Sequence, residues 1–184
     1  MKHRGFTLIE MLIVIAIVMV IGVALLLSAP GEKASLQVTS VTQEIATTLR
    51  EAQSRTMSGD ENGQTVSGFW GVEMANTTAT TPYFGLFFAT STAGITSSIA
   101  LVGGHYALPS SVAYTTSTLP VGGSLFVYYS AGGVAPGQPI GAYGICGGFT
   151  CPATTTISVG LYESRTTPLV STTISIAPTG EVGY

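Results

Sequence analysis

The amino-acid sequence predicts an α+β fold in which one long N-terminal α-helix packs on an antiparallel β-sheet head. Two hydrophobic patterns support this prediction. Up to Ser58, an apolar run is followed by apolar residues at helical spacing, whereas from Val66 onward apolar and polar residues alternate. A chain of 184 residues has room for one apolar helix and one modest domain.

The first half of the predicted helix is an apolar run behind a short polar and basic leader, Met1–Gly5. From Phe6 to Leu27 there are 22 residues with a single carboxylate, Glu10. A helix of that length measures about 33 Å, enough to cross a hydrocarbon core of about 30 Å. Because Lys2 and Arg4 precede the run, the positive-inside rule keeps the leader in the cytoplasm and places the rest outside.

The second half of the predicted helix is amphipathic and ends at a glycine. We expect its apolar face to lie on the sheet, with Gly59 as the C-cap and a kink or loosening at Pro30-Gly31. That face consists of Val38, Val41, Ile45, Leu49 and Ala52. The predicted division is a leader at 1–5, a membrane-crossing helix at 6–29, an amphipathic half at 30–59 and a β-rich head at 60–184.

Short β-rich segments separated by Gly, Pro and Thr predict six or seven antiparallel strands in the head. The Gly- and Pro-rich segment Ala131–Pro152 is predicted to be a long loop, either functional or mobile. The candidate strands are Val66–Met74, Tyr83–Ala89, Ile99–Val102 with Tyr106 beyond it, Ser111–Thr115, Ser124–Tyr129, Thr156–Tyr162 and Thr172–Ala177.

Charged residues are scarce and mostly acidic. The net charge is −3, and removal of residues 1–5 would leave four basic residues against nine acids, or −5. Only 8% of residues are charged, so Ser, Thr and Gly carry the polar surface. This composition suits a secreted or assembled protein and argues against nucleic-acid binding, which depends on basic side chains.

Two cysteines, Cys146 and Cys151, lie in the sequence Cys-Gly-Gly-Phe-Thr-Cys. Because the head is predicted to be exported, a disulfide between them is the favoured interpretation. Two sulfur atoms without a nearby His or acid cannot complete four zinc ligands, and the spacing is not that of a Cys-x-x-Cys redox pair.

The sequence predicts no catalytic, metal or cofactor site. His105 is the single histidine beyond the leader, and we expect a structural or surface role for it. Asn76-Thr77-Thr78 fits an N-glycosylation sequon, and Thr77–Thr81 and Thr115–Thr118 are either O-glycan sites or plain polar loops. The following aromatic residues are expected in the core, with a stacking platform as the alternative: Phe69, Trp70, Tyr83, Phe84, Phe87, Phe88, Phe126, Tyr128 and Tyr129.

The run Gly5-Phe6-Thr7-Leu8-Ile9-Glu10, between a basic leader and an apolar helix, resembles the prepilin leader of type IV pilins and type II secretion pseudopilins. The resemblance implies that a prepilin peptidase cuts after Gly5, that Phe6 becomes an N-methylated N-terminus, and that Glu10 pairs with that amine in a neighbouring subunit. A carboxylate in a membrane helix costs about 2.5–3.5 kcal/mol, so Glu10 needs such a partner or must reach the headgroups.

Two other interpretations of the N-terminal segment fit less well. A secretory signal peptide would be cut behind small residues, but here Leu27-Ser28-Ala29 precedes Pro30. A plain signal anchor would leave the Gly5–Glu10 motif unexplained.

The head resembles the GspH/FimT group of minor pilins and pseudopilins. Some members of that group take up DNA through an arginine-bearing C-terminal tail, but here Gly180 is followed by Glu181-Val182-Gly183-Tyr184 without a basic residue. The matching segments are Leu49–Ser54, Trp70–Glu73, Leu108–Val112 and Ile174–Val182.

The resemblance implies a non-enzymatic subunit of a pilus or pseudopilus whose helix forms the filament core. Its expected partners are prepilin peptidase, other pilin or pseudopilin subunits, inner-membrane assembly machinery and, before assembly, membrane lipid. The expected location is the inner membrane with the head outside, then an extracellular pilus or periplasmic pseudopilus. A major pilin and a membrane-anchored adhesin or DNA-uptake receptor are the alternatives.

Overall fold

The computed structural model describes residues 7–63, 68–92, 95, 101–130, 141–149, 156–164 and 170–184, without the side chains of residues 25–32 and 34. One α-helix, α1, spans Leu8–Ser58, and strands follow it, so the predicted α+β class is confirmed. The strands are β1 Phe69–Asn76, β2 Tyr83–Ala89, β3 Tyr106–Ala107, β4 Val112–Tyr114, β5 Gly123–Ser130, β6 Gly141–Gly147, β7 Ile157–Glu163, β8 Ser171–Ile176 and β9 Val182–Gly183.

The strands form two antiparallel sheets. The first has the order β3-β2-β1-β5-β6 and the second the order β4-β7-β8-β9. Helix α1 packs on both, because its contacts reach β1, β2 and β5 of the first sheet and β7, β8 and β9 of the second. The second half of α1 is therefore the central element of the head.

The predicted apolar face of α1 is confirmed. Val38, Val41, Ile45, Leu49 and Ala52 are all buried, and they join residues from both sheets in one core cluster. A smaller cluster lies on the opposite face of the first sheet, where Phe69, Phe87, Ile95, Phe126 and Tyr128 are buried. The first sheet is therefore covered on two faces.

Helix α1 ends where the sequence predicts. Gly59 adopts the left-handed conformation with φ 70°, and its N–H donates to the carbonyl of Thr56. A residue with a Cβ is strained at that φ, which explains why glycine ends the helix here. The helix is one element across Pro30-Gly31, so the loosening expected there does not divide it.

Two predictions about the head are wrong in detail, and the predicted six or seven strands are too few, since the described residues form nine. The segment Ala131–Pro152 is not only a loop, because it contains β6, seven residues long and paired with β5. Ile99–Val102 is not a strand in its described part, where Leu101 forms a single bridge to Phe87 and Val102 lies in a turn. Strand β9, at Val182–Gly183, was not predicted.

Candidate functional site: the exposed half of α1

Helix α1 starts at a well-formed N-cap. Thr7 has an extended backbone, with φ −78° and ψ 150°, and its Oγ1 accepts a hydrogen bond from the Glu10 N–H at 3.3 Å. Its carbonyl accepts from the N–H groups of Glu10 and Met11 at 3.1 and 3.2 Å. A threonine hydroxyl satisfies one of the four unpaired N–H groups of a helix start, which fixes the first turn just beyond the Gly5–Phe6 junction.

The first half of α1, Leu8–Val23, presents apolar side chains to the outside. These are large hydrophobic residues with exposures between 48% for Val14 and 84% for Leu8. They are Leu8, Ile9, Met11, Leu12, Ile13, Val14, Ile15, Ile17, Val18, Met19, Val20, Ile21 and Val23. A contiguous apolar surface of this extent marks an interaction site. We call it the apolar half of α1.

Glu10 is the acidic residue of this surface, in the first turn of α1. Its side chain is exposed, and its carboxylate forms no ion pair or hydrogen bond within the described residues. A carboxylate in the first turn is favoured by the positive end of the helix dipole. The predicted processing residues Gly5 and Phe6 lie outside the described residues, so their relation to Glu10 stays a prediction.

Within the described residues, no helical stretch combines the length and hydropathy of a membrane span. The predicted membrane-crossing segment, residues 6–29, includes residue 6 and the side chains of 25–29, which lie outside the described part.

Cys146 lies on β6 opposite Leu125 of β5. It is disulfide-bonded, and no described cysteine is free. Cys151 lies outside the described residues, so the pairing of Cys146 with Cys151 stays a prediction.

Two sequence candidates in the head have clear positions. Asn76 is buried, and its side-chain amide donates to the carbonyl of Leu119 at 2.8 Å. The nitrogen to which a glycan would be attached in the predicted sequon therefore lies in the interior. His105 is exposed, and its ring lies 5.2 Å from the ring of Tyr83. Most of the aromatic residues expected in the core are buried there, whereas Tyr83 and Phe88 are half-buried.

Two basic residues on the second half of α1 are engaged with groups of the protein itself. Arg50 Nη2 donates to the carbonyl of Val182 at 3.2 Å, and its guanidinium lies 5.8 Å from the ring centre of Tyr184. Arg55 lies over the ring of Trp70 at 4.5 Å and pairs with Glu51 at 2.7 Å. The C-terminal residues are therefore attached to the helix.

One functional-looking residue was not singled out from the sequence. Glu73, in the centre of β1, is buried and accepts a hydrogen bond from the Tyr83 hydroxyl at 3.2 Å. Burial raises the pKa of its carboxyl, and the Tyr83 hydrogen bond lowers it by a smaller amount. A single Glu in the otherwise apolar run from Phe69 to Ala75 was the signal that could have identified it.

The comparison with known families concerns the N-terminus alone. The prokaryotic N-terminal methylation motif matches residues 1–26, which include the leader, the Gly5–Phe6 junction, Glu10 and the whole apolar half of α1. The chain therefore carries a prepilin signal of the type IV pilin kind. No curated protein and no solved structure matches the chain.

Proposed function

We propose that this chain is a minor pilin or pseudopilin of the GspH/FimT kind, processed by prepilin peptidase and assembled through α1 into a pilus or pseudopilus. The observation that carries the proposal is the methylation motif at residues 1–26, which contains the exposed apolar half of α1. A signal that is processed at the cytoplasmic side of an apolar helix leaves that helix attached to the head. The helix is then available to pack against copies of itself.

The proposed assembly step uses Glu10 and the new N-terminus. Cleavage after Gly5 creates an amine at Phe6, which is then N-methylated and remains a cation. In the dry core of a filament that cation can neutralise the Glu10 carboxylate of a neighbouring subunit. A buried ion pair of this kind sets register between subunits more reliably than it adds stability.

Before assembly, the proposed state is membrane-inserted, with residues 6–29 in lipid and the head outside. The partners in this state are prepilin peptidase, inner-membrane assembly machinery and lipid. Once subunits assemble, the apolar half of α1 exchanges lipid contacts for helix contacts, so its exposed side chains remain out of water throughout. The head, held on the second half of α1, forms the outer surface.

A major pilin is the second candidate, favoured by the low charge of the chain. With 8% charged residues and a surface of Ser, Thr and Gly, copies of the head can pack closely without strong charge repulsion. Abundance separates the two candidates, since a major pilin dominates filaments and a minor pilin does not.

N-terminal mass spectrometry on sheared extracellular filaments and on the membrane fraction tests the proposal. A chain that starts at methylated Phe6 supports processing, and its share of the filament protein decides between minor and major subunit. A chain that still starts at Met1 in both fractions, in cells with active prepilin peptidase, would refute the proposal.

A charge variant tests the role of Glu10. We expect Glu10→Ala to be processed at Gly5 yet to be absent from filaments, because the amine of Phe6 then has no carboxylate partner. Glu44→Ala is the matched control, since Glu44 is an exposed glutamate on the second half of the same helix. Normal incorporation of Glu10→Ala would contradict the proposed ion pair.

A further inference from the structure

The second sheet carries a cleft on the face that points away from α1. Along β7 and β8, Val159, Leu161 and Ile174 are buried in the core shared with the helix. Alternate residues of a strand point to opposite faces, so Gly160 and its register partner Thr173 face outward. The cleft therefore lies on the surface of the head, on the side remote from the helix.

One wall of the cleft is a turn held against β7. The Thr115 N–H donates to the Gly160 carbonyl at 2.7 Å, and the Gly160 N–H donates to Thr118 Oγ1 at 3.0 Å. A Cβ at Gly160 would come within 2.6 Å of Thr115 Oγ1, so only glycine lets the turn approach this closely. Thr116 and Ser117 are exposed at the tip of this fixed turn.

Hydroxyl groups dominate the lining of this cleft, which has a volume of about 570 Å³. Of its nine lining residues, eight carry a hydroxyl and none carries a charge. We call it the hydroxyl cleft. Its lining residues are Thr115, Thr116, Ser117, Thr118, Gly160, Tyr162, Ser171, Thr172 and Thr173.

We propose that the hydroxyl cleft binds a neutral saccharide. A hydroxyl can both donate and accept hydrogen bonds, which matches the hydroxyl groups around a sugar ring. The Thr118 hydroxyl is already engaged within the turn, because it accepts from the Gly160 N–H and donates to the Thr115 carbonyl, both at 3.0 Å. Tyr162 adds an aromatic ring that carries a hydroxyl. Such a side chain suits a ligand with one apolar face and polar groups at its edge. The volume lies within the range of about 300–1,000 Å³ that small-molecule sites occupy.

The lining of the cleft disfavours other classes of ligand. An anion would need cationic donors such as Arg or Lys, and a metal ion would need carboxylate, imidazole or thiolate ligands. Among the residues that the structure describes, none of these lines the cleft. An apolar ligand would leave the hydroxyls without hydrogen-bond partners, which carries a desolvation cost. A neutral, hydroxyl-rich ligand satisfies the lining.

This proposal is independent of the proposed assembly function. The lining residues lie on β7, β8 and the preceding turn, and they share no residue with the apolar half of α1. If the chain is a filament subunit, the cleft belongs to the head and gives the filament a saccharide-binding surface. If it is not, the cleft and its chemistry are unchanged.

Saturation-transfer NMR on the full chain tests the proposal. The chain is kept in a micelle of a phosphocholine detergent, because a detergent with a sugar headgroup would itself compete for the cleft. The probes are maltotriose, N,N′-diacetylchitobiose, lactose and mannobiose, with glucose 6-phosphate as the anionic control. We expect transfer to at least one neutral probe and none to the anionic control; absence of transfer to all four neutral probes overturns the proposal.

Variants of the lining locate the binding. Thr173→Val keeps the shape of an exposed side chain and removes a hydroxyl, and Tyr162→Ala removes the ring. For each variant we expect the dissociation constant of the bound probe to rise about tenfold, as loss of one or two hydrogen bonds or a ring contact implies. Ser158→Ala is the matched control, because Ser158 lies on the same outer face of β7 but does not line the cleft.

Two results would overturn the assignment even if a probe binds. Equal affinity of wild type, Thr173→Val and Tyr162→Ala would place the binding elsewhere. Peptide mapping by mass spectrometry that places a covalent glycan on Thr116 or Ser117 would mean that these hydroxyls are attachment points and not ligand donors. Circular dichroism melting of each variant checks that the head remains folded.

Discussion

The two halves of α1 belong to one helix but have opposite surroundings. In the first half, apolar residues and one glycine follow one another without polar interruption from Met11 to Val23, and Leu12 remains 61% exposed. In the second half, apolar residues occur at three- and four-residue spacing, and Leu49 is fully buried. An apolar stripe along one side of a helix needs one partner surface, which the head provides for the second half. A helix that is apolar on all sides needs partners all around it. The second half therefore holds the head together and the first half is directed to other molecules.

The largest expected effect compares a leucine in each half. Leu49→Ala should lower the free energy of unfolding of the head by about 2–5 kcal/mol, because it opens a cavity in a fully packed core. Leu12→Ala should change it by less than about 0.5 kcal/mol, as exposed substitutions do. Urea unfolding of the chain in detergent micelles, followed by the fluorescence of the single, buried Trp70, measures both. Equal effects would contradict the division of the helix.

This division was predictable because it depends on the local spacing of apolar residues along the helix. The spacing of Val38, Val41 and Ile45 identified the buried face, and Gly59 identified the helix end. The Gly5–Glu10 motif likewise identified the candidate assembly residues, since it consists of consecutive positions. Features that depend on a few neighbouring residues are visible in a single sequence.

A second comparison uses one glycine from each half. Gly59→Ala should cost about 1 kcal/mol of head stability, because alanine is strained at φ 70° and the helix loses its C-cap. Gly22→Ala should leave head stability unchanged, since no other atom lies within 4 Å of the position that a Cβ would occupy. The same unfolding assay applies, and a neutral Gly59→Ala would show that the cap does not limit the stability of the head.

Strand β6 and the hydroxyl cleft were not predictable, because each depends on residues distant in sequence. Gly141 and Gly144 weaken the strand pattern of β6, yet a Cβ at Gly141 would come within 2.5 Å of the Pro178 carbonyl. The glycine that obscured the strand is therefore required by a neighbouring chain segment. The cleft joins the turn at Thr115–Thr118 with β7 and β8, and only the Thr-rich composition of that turn hinted at it.

A buried carboxylate in the head contrasts with the exposed one on the apolar half of α1. Burial raises the pKa of Glu73 above the ordinary value of 4.5, so the folded state binds more protons than the unfolded state between the two pKa values. Stability should therefore fall as pH rises through that window, and the loss should persist above it. Glu73→Gln keeps an acceptor for the Tyr83 hydroxyl and removes the charge, so it should flatten this part of the profile.

Unfolding free energies measured across pH 4 to 8 check this prediction. Glu44→Gln is the control, because it removes an exposed carboxylate from the packed half of α1. If Glu73→Gln and wild type share one pH profile while the control behaves as wild type, Glu73 is not the group responsible.

The smallest expected effect concerns the solvent-facing side of the packed half. Glu51 pairs with Arg55 at 2.7 Å, but both side chains are over a third exposed. Exposed pairs one turn apart contribute about 0.3–0.5 kcal/mol, so Glu51→Gln should cost no more than that, and less at high salt. Arg55 would still lie over Trp70 at 4.5 Å and near Asp60 at 3.6 Å.

Arg55→Ala removes all three contacts, and it should therefore cost more than Glu51→Gln in the same assay. If the two variants cost the same, the ion pair would carry the whole contribution of Arg55 and the Trp70 contact none. If Arg55→Ala costs more than Glu51→Gln, the second half of α1 is stabilised mainly by its buried apolar face and by the contact of Arg55 with Trp70. Charge pairing on the outer side then matters least, which is why a chain with so few charged residues can hold its head on a single helix.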